Sequence, residues 1–375
     1  MLKNIPLFGI YKDERMNAAA LEVLNSGQIA SGQYINRFTE GFANLVNQKY
    51  VVTVNDMSSA IQIALRIIGV GPGDEVLASP FACMSTNAPI ATSGAKAVWV
   101  DINPDTGTMD PVALEKSITS RTKAVIVYHL AGYPADIQKI ADICGKKGIK
   151  LIEDCDNALL ATINSQQVGT FGDFAVYSFY PNRQINATEG GALCCKNADD
   201  AERAVRLRRY GIDLTKFRDS IGEINANCDI SEIGWAATLN NLCSAIGYTQ
   251  LDSVAHRVSE TRAIAKELTA TLKNIDGIEI VSPLEGSTPS YWALLIKTKH
   301  RDRILAELKR RGIQASKLHQ RTDIYTGFNA GLAELPNTTQ FFNSVIGLPC
   351  GWWMSNDDVE IIGSELNNLS DLTSA

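Results

Sequence analysis

Residues 176–191, Val-Tyr-Ser-Phe-Tyr-Pro-Asn-Arg-Gln-Ile-Asn-Ala-Thr-Glu-Gly-Gly, carry the side chain around which any chemistry would be organised. A β-rich run ends in Ser-Phe-x-Pro, an irregular polar link holds Arg183, and Glu189-Gly190-Gly191 leads into a second β-run, 192–195. Arg183 therefore sits on a loop held between two strands. A guanidinium stays protonated at any ordinary pH, and its planar fork suits a phosphate or a carboxylate. It has no free amine, so it can neither condense with an aldehyde nor shuttle a proton as lysine does. Two roles follow, anion binding or an internal pair with Asp154 or Glu189. A second polar group, Lys317, His319, Arg321, Asp323 and Tyr325, lies late in the chain.

The elements that must position these residues alternate. Residues 12–26 read as an amphipathic helix stopped by Gly27 and Gly32, and 35–47 as a second helix. Strand 50–54, helix 60–68, the turn Gly71-Pro72-Gly73-Asp74 and strand 75–78 follow. Strands 97–100, 124–128 and 150–153 then alternate with helices 110–117 and 137–147, which means βαβ units and a mostly parallel sheet. Ligands of such sheets bind beyond the carboxyl ends of the strands, where Asp56, residues 80–84, His129 and Asp154 fall. After Gly191, helices 199–210, 236–252 and 259–272 precede a smaller α+β unit of strands 278–281 and 291–297 and helices 301–311 and 357–366. The expected division is a large domain, 1–250, and a small C-terminal domain, 251–375.

The 375 residues, 45% hydrophobic and 20% charged, can bury a large core. A net charge of −6 with no basic block argues against nucleic acid as a partner. Arg206, Arg208 and Arg209 read as a solvated helix face. No apolar run approaches the roughly 20 residues of a membrane-spanning helix, and residues 1–11 lack the layout of a signal peptide, so the expected compartment is the cytoplasm. Eight cysteines, single apart from Cys194-Cys195 and far from Cys-x-x-Cys or histidine spacings, indicate buried thiols and no metal site.

The segment 178–191 resembles the cofactor-lysine loop of the fold-type I sugar aminotransferases of the DegT/DnrJ/StrS type, Ser-Phe-x-Pro-x-Lys-x5-Glu/Asp-Gly-Gly, with Arg183 at the lysine. Residues 26–32, 71–76, Asn87-Ala88, Asp101-Ile102, His129-Leu130, Pro134-Ala135-Asp136, Ile152-Glu153-Asp154, 168–173 and Leu348-Pro349 extend the resemblance along nearly the whole chain. It implies a seven-stranded-type, mostly parallel sheet between helices with a smaller C-terminal domain, a homodimer, a nucleotide-linked sugar as partner, and pyridoxal or pyridoxamine phosphate as cofactor, non-covalent if bound at all. Asp154 would hold the pyridine nitrogen protonated, its other reading being a helix N-cap. Asn157 stands beside the ring hydroxyl, and Ser58, Met57 and Ser178 fall at the phosphate, by a helix N-terminus. His319, Arg321 and Tyr325 fall where relatives meet the sugar nucleotide.

Several positions depart from the family. Its Ser-Gly-Thr is here Asp56-Met57-Ser58, which sets a carboxylate near a dianion, although Asp56 suits a helix cap. Gly234-Trp235-Ala236 lacks the usual asparagine at Ala236, and Ala82 and Met84 stand where many relatives stack an aromatic ring. With Arg183, these changes make ordinary transamination unexpected. Three readings stay open: a nucleotide-sugar enzyme of altered chemistry, a non-catalytic or regulatory binding relative, and an engineered lysine-to-arginine variant of an active aminotransferase.

Overall fold

A computed structural model describes residues 3–329 and 331–369. Its centre is a seven-stranded sheet. In chain order the strands are β1 (Tyr50–Val54), β2 (Glu75–Ala78), β3 (Lys96–Trp99), β4 (Thr122–Tyr128), β5 (Lys150–Asp154), a hairpin of β6 (Thr162–Ile163) and β7 (Gln166–Gln167), β8 (Phe174–Ser178) and β9 (Gly191–Cys195). The sheet order is β1-β9-β8-β5-β4-β2-β3, and β9 alone runs antiparallel to its neighbours. Helices α1 (Glu14–Ser26), α2 (Gln33–Leu45), α3 (Met57–Ile68), α4 (Met84–Thr92), α5 (Pro111–Ser117), α6 (Ile137–Lys147) and α7 (Ala198–Leu207) accompany it.

Alternation within the strands explains the layers. Ala124 and Ile126 of β4 pack with Ile61, Ile63 and Ala64 of α3, whereas Val125 and Val127 pack with Leu114 of α5 and Ile137 and Ile140 of α6. A period of two with both faces apolar is what a parallel sheet between helices requires. The carboxyl ends of β4, β5 and β8 thus deliver Tyr128, Asp154 and Ser178 to one edge.

The chain continues through α8 (Asn241–Tyr248) and α9 (Val254–Leu272) into β10 (Glu279–Ile280), β11 (Ser287–Thr288), β12 (Leu294–Lys297), α10 (Arg301–Arg310), α11 (Pro336–Ser344), β13 (Val345–Leu348) and α12 (Asn356–Asn367). Strands β10, β12 and β13 form a small antiparallel sheet, while β11 joins the β6–β7 hairpin. Helix α9 enters two cores, with Val254 and Val258 in one and Ile264, Leu268 and Leu272 in the other. Ile5 belongs to the second core and exchanges backbone hydrogen bonds with Gly312 and Gln314, so the segment before α1 packs on the C-terminal unit.

Three expectations are corrected. The helix expected over 236–252 begins at Asn241, because residues 235–238 are extended. Trp235 and Ala237 donate to Leu207 and Arg208, Asn55 donates to Ala237, and Asn240 caps α8 through Cys243 N–H. Arg208 does not face solvent. It turns inward onto the Thr53 carbonyl, and burial pulls its pKa down to about 10. Helix α4 was not expected at all, and it contains Pro89.

Gly191 marks the tightest approach. A Cβ there would lie 2.9 Å from backbone atoms of Asp56, Met57 and Tyr177, so β9 meets the start of α3 with no room for a side chain. Gly191→Ala is expected to lower stability by about 1–3 kcal/mol through overpacking. Denaturant unfolding checks this, and an unchanged midpoint would mean that α3 shifts freely.

Candidate active site

Asp154 ends β5 and is fully buried. Its Oδ2 accepts the Thr86 hydroxyl of α4 at 2.7 Å, and its Oδ1 accepts the Asp156 N–H at 3.0 Å. Burial first, and the Asp156 charge second, push its carboxyl up to about 7. The chain beyond β5 turns so tightly that Asp156 and Asn157, 3% and 1% exposed, face the same interior.

Arg183 meets them there. Its Nη2 donates to Asp156 Oδ2 at 2.6 Å, its Nε donates to Asp156 Oδ1, and its Nη1 donates to Asn182 Oδ1. The guanidinium stands 5.3 Å from the Trp292 ring centroid, and the Trp292 indole N–H donates to Asn182 O. Burial works against the Arg183 charge, but the facing Asp156 carboxylate more than offsets it and raises the pKa. The internal partner is therefore Asp156 and neither Asp154 nor Glu189. Asp154 is turned to Thr86, and Glu189 is exposed at the Gly-Gly turn.

A second chain of polar groups closes over this pair. The Tyr128 hydroxyl donates to Asn157 Oδ1 and lies 3.1 Å from His319 Nε2. With the phenol proton given to Asn157, His319 is the donor to Tyr128. Burial, with the Asp156 and Asp154 charges added, raises the Tyr128 pKa well above its ordinary value and keeps the phenol protonated. Burial also lowers His319 to about 4, with Asp156 opposing and Arg183 assisting, so the imidazole is neutral near pH 7.

The other end of the crevice is the start of α3. Asp56 is the N-cap, its Oδ1 accepting the Ser59 N–H at 2.8 Å and its Oδ2 the Ser59 hydroxyl at 3.0 Å. Met57 is buried in the apolar core. The Ser58 hydroxyl donates to Ser85 O at 3.2 Å, the carbonyl that Pro89, lacking an N–H, leaves without its helical partner. Ser178 Oγ accepts the Tyr180 N–H. Ala236 is exposed on the extended segment, Ala82 is buried, and Met84 is 43% exposed.

Of the late polar group, only His319 joins the cluster. Arg321 is bidentate to Asp323, with Nη2–Oδ2 2.6 Å, and also donates to Thr339 Oγ1 and Ala333 O. Tyr325 is exposed, and Lys317 pairs with Asp302. His129, Glu153 and Cys155 lie close enough to suggest a metal. However, Glu153 accepts the N–H groups of Gly169, Phe171 and Gly172, and His129 Nδ1 accepts that of Ala135, so these side chains tie loops to the sheet. Sequence reasoning missed Asp156, Tyr128 and Thr86. The signal available for Asp156 was a second acid two residues past a buried strand end, which demands a cation.

This sheet order, with its crevice at the carboxyl ends of β4 and β5, defines a fold-type I aminotransferase-like α/β protein. The chain matches the DegT/DnrJ/EryC1/StrS aminotransferase family over residues 11–367 and belongs to it. It is 30% identical to a dTDP-3-amino-3,4,6-trideoxy-alpha-D-glucose transaminase of Streptomyces venezuelae, over 89% of this chain and 86% of that one. It is 27% identical to the spore coat polysaccharide biosynthesis protein SpsC of Bacillus subtilis, over 95% and 94%. The crystal structure of AtS13 from Actinomadura melliaura superposes with a TM-score of 0.92 at 28% identity, over 97% and 98%. The chain is thus a member of a sugar aminotransferase family of nucleotide-sugar and polysaccharide biosynthesis.

The residues present do not fit pyridoxal phosphate. Arg183 and Asn157 are each committed to an internal partner, and so are Ser58 and Ser178.

Proposed function

We propose that this chain is a non-transaminating member of the family that binds a nucleotide-linked sugar in the making of an amino sugar or surface polysaccharide, with no covalently held cofactor. One observation carries the reading: the side chain at the lysine position is an arginine, clamped in both directions by Asp156. A second reading, an enzyme of altered chemistry using free pyridoxamine phosphate, is favoured by the retention of Asp154 at the end of β5. An engineered lysine-to-arginine exchange is disfavoured, since a bidentate buried partner for the guanidinium is already in place.

The test has two arms. After incubation with pyridoxal phosphate and borohydride reduction, no crevice lysine should gain the mass of a phosphopyridoxyl group, and a stoichiometric gain on one would overturn the reading. Calorimetric titration with dTDP-, UDP-, GDP- and CDP-linked hexoses should give saturable heat with at least one. Absence of heat with all four would remove the nucleotide sugar.

The same reading includes a homodimer, supported by the exposure of Ile221, Ile224, Ile233 and Trp235 along one loop region, at 81%, 62%, 69% and 38%. Obligate interfaces bury upwards of about 2,000 Å2, so light scattering at micromolar concentration should give twice the chain mass. A monomer there would refute it.

A further inference from the structure

We propose that Arg183, Asp156, Tyr128 and Asn157 form an internal plug that takes the place of a pyridoxal ring, so that the chain excludes this class of cofactor even as a free, non-covalent ligand. The inference goes beyond the missing aldimine, because a pocket lacking lysine can still hold pyridoxamine phosphate. Asp156 becomes the specificity-determining residue, through the arginine it holds.

Each end of the crevice is already satisfied. At the ring end, Asn157 Oδ1 accepts the Tyr128 hydroxyl, and the Asp154 oxygens accept from Thr86 and Asp156. In the middle, the Arg183 side chain reaches from its loop to Asp156, with 11% and 2% of the two side chains exposed. A ring entering there must separate a permanent cation from its carboxylate inside the protein, where neither has water to replace the other. At the phosphate end, Asp56 places its own negative charge at the start of α3 by accepting the Ser59 N–H and hydroxyl, and the Ser58 hydroxyl is bound to Ser85 O. Supporting contacts keep the plug in register: Gln184 donates to Asn157 O, Ser290 donates to the same oxygen, and Trp292 lies against the guanidinium.

The experiment titrates pyridoxamine phosphate and pyridoxal phosphate, separately, into the full chain while following tryptophan fluorescence and near-visible absorbance. Wild type should show no saturable change at up to millimolar ligand. The double variant Asp156→Ala with Arg183→Met removes both charges together and should bind pyridoxamine phosphate roughly 100-fold or more tightly than wild type, the effect of sparing a buried pair its separation. Circular dichroism and a melting curve establish that the variant is folded. Asp156→Ser with Arg183→Lys serves as a second opened crevice, because a buried lysine can shed its proton. Saturable micromolar binding to wild type overturns the plug, and so does a folded double variant that binds no better than wild type. Such failures leave the borohydride result untouched: non-covalent binding adds no mass to a lysine, so the two ideas fail separately.

Discussion

Asp156→Ala is expected to lower folding stability by about 3–5 kcal/mol, among the largest effects of any single substitution in this chain, because it strands a buried cation. Arginine has no accessible neutral form, so Arg183 cannot escape by losing its proton. The other groups it touches directly, Asn182 and the face of Trp292, carry no negative charge, and Asp154 is held by Thr86 and the Asp156 N–H. The coupled change, Asp156→Ala with Arg183→Met, should recover most of the loss, since removing both charges of a buried pair is often close to neutral. Urea unfolding with matched m-values measures the single and double variants. A loss under about 1 kcal/mol for Asp156→Ala would show that the arginine swings out to water. Additive losses in the double variant would show that the two groups do not act as a pair.

That partner was beyond reach of sequence reading for a physical reason. Asp156 and Arg183 are 27 residues apart, and the choice among Asp154, Asp156 and Glu189 depends on which way each side chain leaves the end of its strand. The strand termini themselves were legible: β1, β2 and α6 lie where the periodicity placed them, and the alternation of βαβ units anticipated the parallel sheet. Local features misled where tertiary contacts decide. The apolar run from Ala236 reads as helix, yet its first residues pair with the backbone after α7 and leave Asn240 to start the helix. In α4, Pro89 leaves the Ser85 carbonyl without its helical donor, and the compensating donor, Ser58, comes from another helix.

Ser58 and Asp56 would be phosphate-end groups by resemblance, yet each is fully occupied holding α3 and α4 in place. Buried polar side chains of a crevice need internal partners wherever no ligand supplies them, since an unpaired buried donor costs about 1–3 kcal/mol. Arg183, Asn157 and Tyr128 obey that rule.

His319 and Asp154 should make opposite and nearly cancelling contributions to stability between about pH 4 and pH 6.5, and removing either one exposes the other. His319 sits at about 4 in the folded chain against an ordinary 6.5. Between those values the unfolded chain binds a proton that the fold refuses, so the His319 contribution is whole above pH 6.5 and is lost as pH falls toward 4. Asp154 sits at about 7 against an ordinary 3.8. Here the folded chain holds the extra proton, so its contribution is favourable below pH 3.8 and is lost as pH rises through 7. Each proton changes stability by at most about 1.4 kcal/mol per pH unit. His319→Asn should therefore become progressively less destabilising, relative to wild type, as pH is lowered from 6.5 to 4.5. Asp154→Asn should become more destabilising over the same range. Urea unfolding of the three proteins at pH 7.5, 6.5, 5.5 and 4.5 reads both slopes. A His319→Asn difference that stays constant with pH would mean that its imidazole titrates alike in the folded and unfolded chains, and the hydrogen bond to Tyr128 would then hold a solvent-reached ring instead of a neutral one kept dry above the Arg183–Asp156 pair.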